Sequence, residues 1–150
     1  MKEYFKYEHG YVNINNQDLF LTNSGNWSET LTIEEKSSKT IRKNNAKNVK
    51  IYIYFLLVIC LMALIISRSQ TGAIPLGLIL LAFGAFLYMK RDLGNRYKIP
   101  LSKIKSIEIS ANEAKIIFLN ESNVEDSETI RKIESKGIPI LSEIIDKRKR

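Results

Sequence analysis

The hydrophobic residues of this chain are concentrated in two uncharged runs near its middle. Residues 51–66 read IYIYFLLVICLMALII, and residues 73–89 read AIPLGLILLAFGAFLYM. A helix rises about 1.5 Å per residue, so a hydrocarbon core about 30 Å thick needs roughly 20 residues, with about 17 as the usual lower limit. The pattern predicts transmembrane helices at residues 51–67 and 73–89, joined as a hairpin over 51–89. The alternative, a buried hairpin in a soluble protein, needs a large apolar shell that the polar remainder does not provide.

Basic residues flank the predicted hairpin on one side. Six Lys or Arg residues lie within residues 36–50 and six within residues 90–105, whereas the connecting turn carries Arg68 alone. Cytoplasmic segments next to membrane spans are enriched in Lys and Arg. The charge distribution therefore predicts a multi-pass protein with both termini in the cytoplasm.

Small residues mark one face of the second predicted helix. Gly77 and Gly84 are seven residues apart, and Ala73 precedes Gly77 by four. Small side chains let helix backbones approach closely in lipid. Two interpretations of Ala73, Gly77 and Gly84 stay open: packing within the hairpin, or a seam for a second copy or a larger complex. Neither run contains Asp, Glu, Lys, Arg or His, so the hairpin is expected to anchor the protein rather than conduct ions.

Short apolar and aromatic stretches separated by polar turns precede the hairpin. Alternation of this kind predicts strands. The predicted strands lie near residues 4–7, 11–14 and 19–22, with a further strand that starts at Trp27 and includes Leu31 and Ile33. Residues 36–50 (KSSKTIRKNNAKNVK) are basic and polar, and they are expected to form a solvated linker that becomes helical as it enters the first span.

After the hairpin, the pattern changes from strands to helices. Residues 97–101 and 104–109 are expected to be extended, and residues 114–119, apolar on both faces, predict a central strand covered on both sides. Ser122 and Glu125 have the spacing of a helix capping box. This predicts a helix that Gly137 ends, followed by a second helix from Pro139 with an apolar face. That face consists of Ile138, Leu141, Ile144 and Ile145.

Neither flank has enough strands and helices to cover its own apolar faces. Since both flanks are predicted on the same side of the membrane, we expect one α+β domain assembled from the two, with the hairpin inserted between its strands. The predicted organisation is N-terminal strands at residues 1–35, a basic linker at 36–50, the hairpin at 51–89, and C-terminal strands and helices at 97–150.

Residues 99–145 (IPLSKIKSIEISANEAKIIFLNESNVEDSETIRKIESKGIPILSEII) resemble the short bacterial membrane proteins that carry a PH-like β domain beside a transmembrane helix pair. The resemblance rests on the general strand and helix pattern over about a third of the chain. It implies a small, bent antiparallel sheet capped by a C-terminal helix, in a bacterial cytoplasmic (inner) membrane protein. The order differs from that family, because strands here precede the membrane pair. PH-like domains in general bind lipid headgroups or proteins.

The net charge of +7 favours an anionic partner. A basic domain at the cytoplasmic leaflet is attracted to anionic lipid by about 1 kcal/mol per nearby Lys or Arg. The bilayer is therefore the expected partner, with a protein partner or homodimer as a further possibility and no nucleic acid. Setting the membrane topology is an alternative role for the same cations. The candidate headgroup contacts are Lys43, Lys47, Arg91, Arg96, Lys147, Arg148 and Lys149.

Residues typical of catalytic or metal sites are scarce. His9 is the only histidine and Cys60 the only cysteine, and the sequence has no Gly-rich phosphate loop. Histidine-dependent triads and Cys/His metal sites are therefore not expected, and neither is any cofactor. The predicted function is a non-enzymatic membrane protein that holds a PH-like cytoplasmic domain at the bilayer for lipid or protein binding. The alternatives are a structural or regulatory subunit that docks through the Gly77/Gly84 face, and an enzyme of unknown chemistry.

Overall fold

The structure is a computed structural model that describes residues 2–68, 73–90 and 93–148. The chain forms two compact units. One consists of residues 1–42 together with 94–150, and is called the β domain below; the other consists of residues 43–93.

A four-stranded antiparallel sheet in the order β1-β2-β3-β4 forms half of the β domain. Leu19 lies opposite Ile99 and Leu21 opposite Tyr97, so a strand that precedes the two apolar runs pairs with a strand that follows them. The strands are β1 (Glu3–Tyr7), β2 (Gly10–Ile14), β3 (Asp18–Thr22) and β4 (Tyr97–Pro100).

A three-stranded antiparallel sheet in the order β5-β6-β7 forms the other half. Ala114, Ile116 and Phe118 alternate along the middle strand and are buried. The prediction that this strand is central is confirmed, but the prediction that it is covered on both sides is wrong, because Lys115 on its outer face is exposed and Ile117 is only half-buried. The strands are β5 (Ile104–Ser110), β6 (Glu113–Leu119) and β7 (Glu125–Ile130), and a short 3₁₀ helix, Leu101–Lys103, precedes them.

One hydrophobic core joins both sheets to the C-terminal helix α4 (Gly137–Arg148). Leu141 and Ile144 of α4 are buried in this core, and Ile138 packs against it. The β domain is therefore α+β with a C-terminal helix, as expected, but its strands form two antiparallel sheets where the resemblance implied one. The largest fully buried side chains include Phe5, Ile14, Leu19, Tyr97, Ile99, Ile116 and Phe118.

The strand predicted from Trp27 is wrong. Trp27–Thr30 instead forms a short helix, α1, and the Asn26 side chain accepts a hydrogen bond from the Ser28 amide at 3.0 Å. An Asn cap of this kind satisfies a backbone donor at the helix start and outweighs the strand preference of a single Trp.

The helix predicted from the capping box at Ser122 and Glu125 is also wrong. Asn120 Oδ1 accepts hydrogen bonds from the amides of Ser122 and Val124, and the chain turns into strand β7. Six consecutive residue pairs with β6 then fix β7. Gly137 begins α4 rather than ending an earlier helix.

Helix α2 (Ser38–Arg68) contains most of the predicted basic linker. Lys36, Ser37 and Thr40 are buried, so the prediction of a solvated linker is wrong at its N-terminal end. The Ser37 hydroxyl accepts a hydrogen bond from the Thr40 amide at 3.1 Å and thereby supports the start of the helix.

The second unit contains the apolar part of α2 and helix α3 (Ala73–Lys90). By length and composition α2 is the one described helix that could cross a membrane, whereas α3 contributes a shorter apolar stretch, Ile79–Met89. The prediction of membrane spans is thus supported for the first run only. The rings of Phe55 and Phe86 lie 4.5 Å apart, so the two helices are in contact.

Candidate functional site

Three lysines follow one another along α2 immediately before its apolar part. Lys43, Lys47 and Lys50 are all exposed. The steps of four and three residues place them on one helix face. The rise from Lys43 to Lys50 is about 10 Å. If the apolar part of α2 lies in hydrocarbon, the ammonium groups nearest to it lie within a headgroup layer some 5–8 Å thick. The farthest, that of Lys43, lies just beyond this layer.

The other predicted headgroup contacts lie on other segments of the chain. Arg96 is half-buried and belongs to the β domain, directly before β4. Lys147 and Arg148 end α4. Arg91 and Lys149 lie outside the described residues. Lys43 and Lys47 are therefore the part of the predicted site that the structure places on one surface.

The predicted packing face of α3 is open where it is described. A Cβ atom added at Gly77 or Gly84 would meet nothing within 4 Å among the described residues. Ala82, by contrast, is buried, and Phe86 contacts Phe55. The side chain of Ala73 is not described.

A buried cation that the sequence interpretation missed lies in the β domain. Lys36 Nζ is 3.2 Å from Asp126 Oδ2 and 3.1 Å from Glu128 Oε2. It also donates to the Ser127 carbonyl oxygen at 3.2 Å. Only 7% of the Lys36 side chain is exposed, whereas the two carboxylates are partly exposed. Lys36 lies within a run of Lys and Ser residues, so no periodicity distinguishes it from the solvated lysines that follow.

Aromatic rings complete the surroundings of this ammonium group. Lys36 Nζ lies 5.1 Å from the ring centroids of both Tyr97 and Phe118, within the range of a cation–π attraction. Burial, with the charge of Glu128 and a hydrogen bond to it, raises the pKa of Tyr97 far above its usual range. Burial and the same carboxylate raise the pKa of Tyr7 to about 12. Both phenols therefore stay protonated at neutral pH.

The Lys36 cluster holds segments together. It connects the residue two positions before α2 with strands β4, β6 and β7. Its ammonium group is paired and the cluster contains no thiol or imidazole, so it lacks an activated nucleophile. A shallow depression of about 320 Å³ adjoins it on the outer side of β6 and β7, lined by Lys115, Ile117, Glu125, Asp126 and Ser127. No group of metal-ligating side chains occurs within residues 2–68, 73–90 and 93–148.

The fold and these surfaces define a class of protein: an α+β domain of two antiparallel sheets, with one candidate transmembrane helix beginning inside it. No protein-family model, no curated protein and no solved structure matches the chain.

Proposed function

We propose that this chain is a non-enzymatic, multi-pass protein of a bacterial cytoplasmic membrane. Helices at residues 51–67 and 73–89 form a transmembrane hairpin, and both termini are cytoplasmic. The hairpin holds a PH-like β domain at the bilayer, where the domain binds anionic lipid or a protein partner.

The exposed apolar surface of α2 is the observation that carries the proposal. Of residues 51–68, only Ile51 is buried, and the side chains of Leu56, Leu57 and Leu61 are each more than half exposed. A core helix would bury these side chains against the rest of the protein. An apolar surface of this extent is stable in hydrocarbon and unfavourable in water.

The pairing of β3 with β4 supports the hairpin. Strand β3 ends at Thr22, before α2, and strand β4 starts at Tyr97, after α3. Adjacent strands of one sheet must lie in the same compartment. A single crossing by α2 would leave β4 on the opposite side of the membrane from β3. The chain must therefore cross back before Tyr97, and α3 is the apolar helix available for the return.

Helix α3 as a whole is long enough for a crossing, although the apolar stretch described within it, Ile79–Met89, is shorter. Its 18 residues extend about 27 Å, close to the 30 Å hydrocarbon thickness. Basic side chains at the ends of a span can extend toward the headgroups and so lengthen the usable span.

The PH-like part of the proposal rests on architecture. Sheets of four and three antiparallel strands, with a C-terminal helix packed on their common core, agree with what the resemblance of residues 99–145 implies. The anionic-lipid part rests on Lys43 and Lys47, which are positioned at headgroup depth if α2 spans. Each nearby cation contributes about 1 kcal/mol to attraction toward anionic lipid.

Lipid preference can be measured on the full-length protein in nanodiscs of mixed neutral and anionic lipid. We expect native mass spectrometry to find anionic lipid enriched on the wild-type protein and the enrichment reduced in Lys43→Gln/Lys47→Gln. Lys115→Gln, which removes an exposed cation from β6, is the matched control and should keep it. Equal retention of neutral and anionic lipid by the wild type would contradict lipid recognition.

A second candidate function is that of a subunit that docks through α3. The open space beside Gly77 and Gly84 favours it, because a second helix could approach there. Gly77→Leu/Gly84→Leu should then abolish crosslinks to a partner or second copy in native membranes. An unchanged crosslink pattern would reject this face as the seam.

A further inference from the structure

The loop between β3 and α2 leaves a large apolar side chain exposed. This loop, residues 23–33, is called the α1 loop. Leu31 is 85% exposed, more than any other large apolar side chain described, including Leu81 and Tyr88 of α3 at 72% and 74%. Trp27 lies four residues earlier, half-buried, so the two side chains share one side of the loop.

The exposure of Leu31 is built into a fixed loop. The carboxylate of Glu29 accepts hydrogen bonds from the Asn23 amide, at 3.1 Å, and from the Ser24 hydroxyl. The Asn13 side chain donates to the Gly25 carbonyl oxygen at 2.8 Å. Gly25 has a φ of 73° and lies against the Tyr11 ring, where a Cβ atom would be 2.9 Å from the ring. These bonds prevent the loop from folding back to cover Leu31.

The start of the α1 loop lies beside the residue at which the chain re-enters the β domain after α3. A Cβ atom on Gly94, whose φ is 128°, would lie 2.9 Å from Asn23 Oδ1. Gly94 follows Lys90, the last residue of α3, by four residues. Four extended residues span at most about 14 Å. If α3 ends at the cytoplasmic interface, Gly94 is thus held within about 14 Å of that interface.

We propose that the α1 loop rests on the cytoplasmic leaflet and inserts Leu31 and Trp27 into the interfacial layer of the bilayer. The proposal rests on the membrane hairpin of the preceding section. Trp is enriched at membrane interfaces because its apolar ring and polar N–H suit that boundary. The Lys2 ammonium, 5.6 Å from the centroid of the Trp27 ring, adds a positive charge that anionic headgroups attract.

A lipid surface fits this loop better than a protein partner. A stable protein interface buries about 800 Å² on each side, whereas Trp contributes at most about 250 Å². Two neighbouring side chains on a four-residue helix are therefore too small an anchor for a protein. Insertion into an interface needs no matching surface and suits so small an apolar projection.

The test uses the fact that Trp27 is the only tryptophan of the chain. Full-length protein is placed in nanodiscs of zwitterionic lipid, either unmodified or brominated near the top of the acyl chains. We expect brominated lipid to quench Trp27 fluorescence and the bilayer to shield Trp27 from acrylamide. Leu31→Asp should remove most of both effects. Val124→Asp, which changes an exposed apolar residue of a different loop, should leave them unchanged.

Three results would overturn the proposal. In the first, the protein enters the nanodisc but brominated lipid leaves Trp27 fluorescence unchanged. In the second, Trp27 is shielded from acrylamide without bromine quenching, which indicates a protein contact such as a second copy. In either case the hairpin proposal stands. In the third, the chain fails to enter nanodiscs and is released from membranes by alkaline washing, so that both proposals fail.

Discussion

The Lys36 ammonium group is enclosed by two carboxylates and two aromatic rings in a place that the sequence presents as solvated. Its neighbours Lys39 and Lys43 are exposed, so residue type and spacing alone do not distinguish them. What distinguishes Lys36 is strand β7, which brings Asp126 and Glu128 to it from about 90 residues away. Such long-range partners cannot be derived from local pattern, because the pattern of residues 125–130 itself predicts a helix.

Removing one partner of the Lys36 cluster should be costly. Lys36→Ala takes the cation away from two partly exposed carboxylates and removes three short polar contacts, and we expect it to destabilise the protein by about 2–3 kcal/mol. Lys105→Ala, which breaks the exposed pair with Glu125, should cost no more than about 1 kcal/mol. Denaturant unfolding of both variants in the same detergent measures the difference. Equal losses of stability in the two variants would show that the burial of Lys36 does not increase its contribution to stability.

Stability should fall at alkaline pH through Tyr7. Its pKa is about 12 in the folded protein against 10.0 for an ordinary tyrosine, so the unfolded chain loses this proton first. The contribution is complete below pH 10 and is lost as the pH rises from 10 to 12. Tyr7→Phe lacks the titrating group, so its stability should fall less steeply over this window. Unfolding curves recorded between pH 9 and 12 provide the test, and parallel losses in both proteins would refute it.

At the scale of secondary structure, regular alternation is predictable and side-chain capping is not. Strands β1 to β6 follow apolar and aromatic alternation, and α4 follows the spacing of Leu141 and Ile144. Helix α1 and strand β7 escape prediction because the side chains of Asn26 and Asn120 direct the local backbone by accepting hydrogen bonds from nearby amides. The common face of Lys43 and Lys47 on α2 is predictable from their spacing, since a helix fixes their relative positions. The partners of Lys36 cannot be predicted in this way, because they lie on a distant strand.

The start of α4 depends on close packing at Gly137. A Cβ atom there would lie 2.5 Å from Ile133 Cγ2 and 2.6 Å from Phe5 Cδ2. We therefore expect Gly137→Ala to destabilise the protein by about 1–3 kcal/mol, although Ala favours helices more than Gly does. Asp146→Ala, at an exposed position of α4, should change stability by less than about 0.5 kcal/mol. Thermal unfolding compares the two variants. A Gly137→Ala variant that is more stable than the wild type would show that α4 can shift to accommodate the added methyl group.

At the scale of the whole molecule, the assembly of one domain from two flanks is predictable from the sequence, because neither flank can cover its own apolar surface. The sequence does not predict which strands pair with each other. That depends on β3 and β4, whose pairing of Leu19 with Ile99 joins positions 80 residues apart. The separation of the strands into two sheets likewise depends on long-range packing around Phe5 and Phe118.

The β domain should fold without residues 43–93. Residues 43–93 form their own unit, so Arg42 can be joined to Gly94 by about 12 Gly/Ser residues, which span about 20 Å on average. We expect a water-soluble monomer that unfolds cooperatively, since the core of both sheets and α4 remains complete. Circular dichroism and denaturant titration check this. The same shortened protein carrying Phe5→Asp should not fold, and similar behaviour of the two would mean that the core is not formed.

The adjacency of β3 and β4 also sets the timing of biogenesis. Ribosomes add about 5–20 residues per second, so Ile130, 108 positions after Thr22, follows it by roughly 5–20 s. The first three strands have an unpaired edge until β4 is made, and their core stays incomplete until β7 is made. Chaperone capture of nascent chains is therefore expected to be strongest for this early half, and to end only when the last strand has emerged.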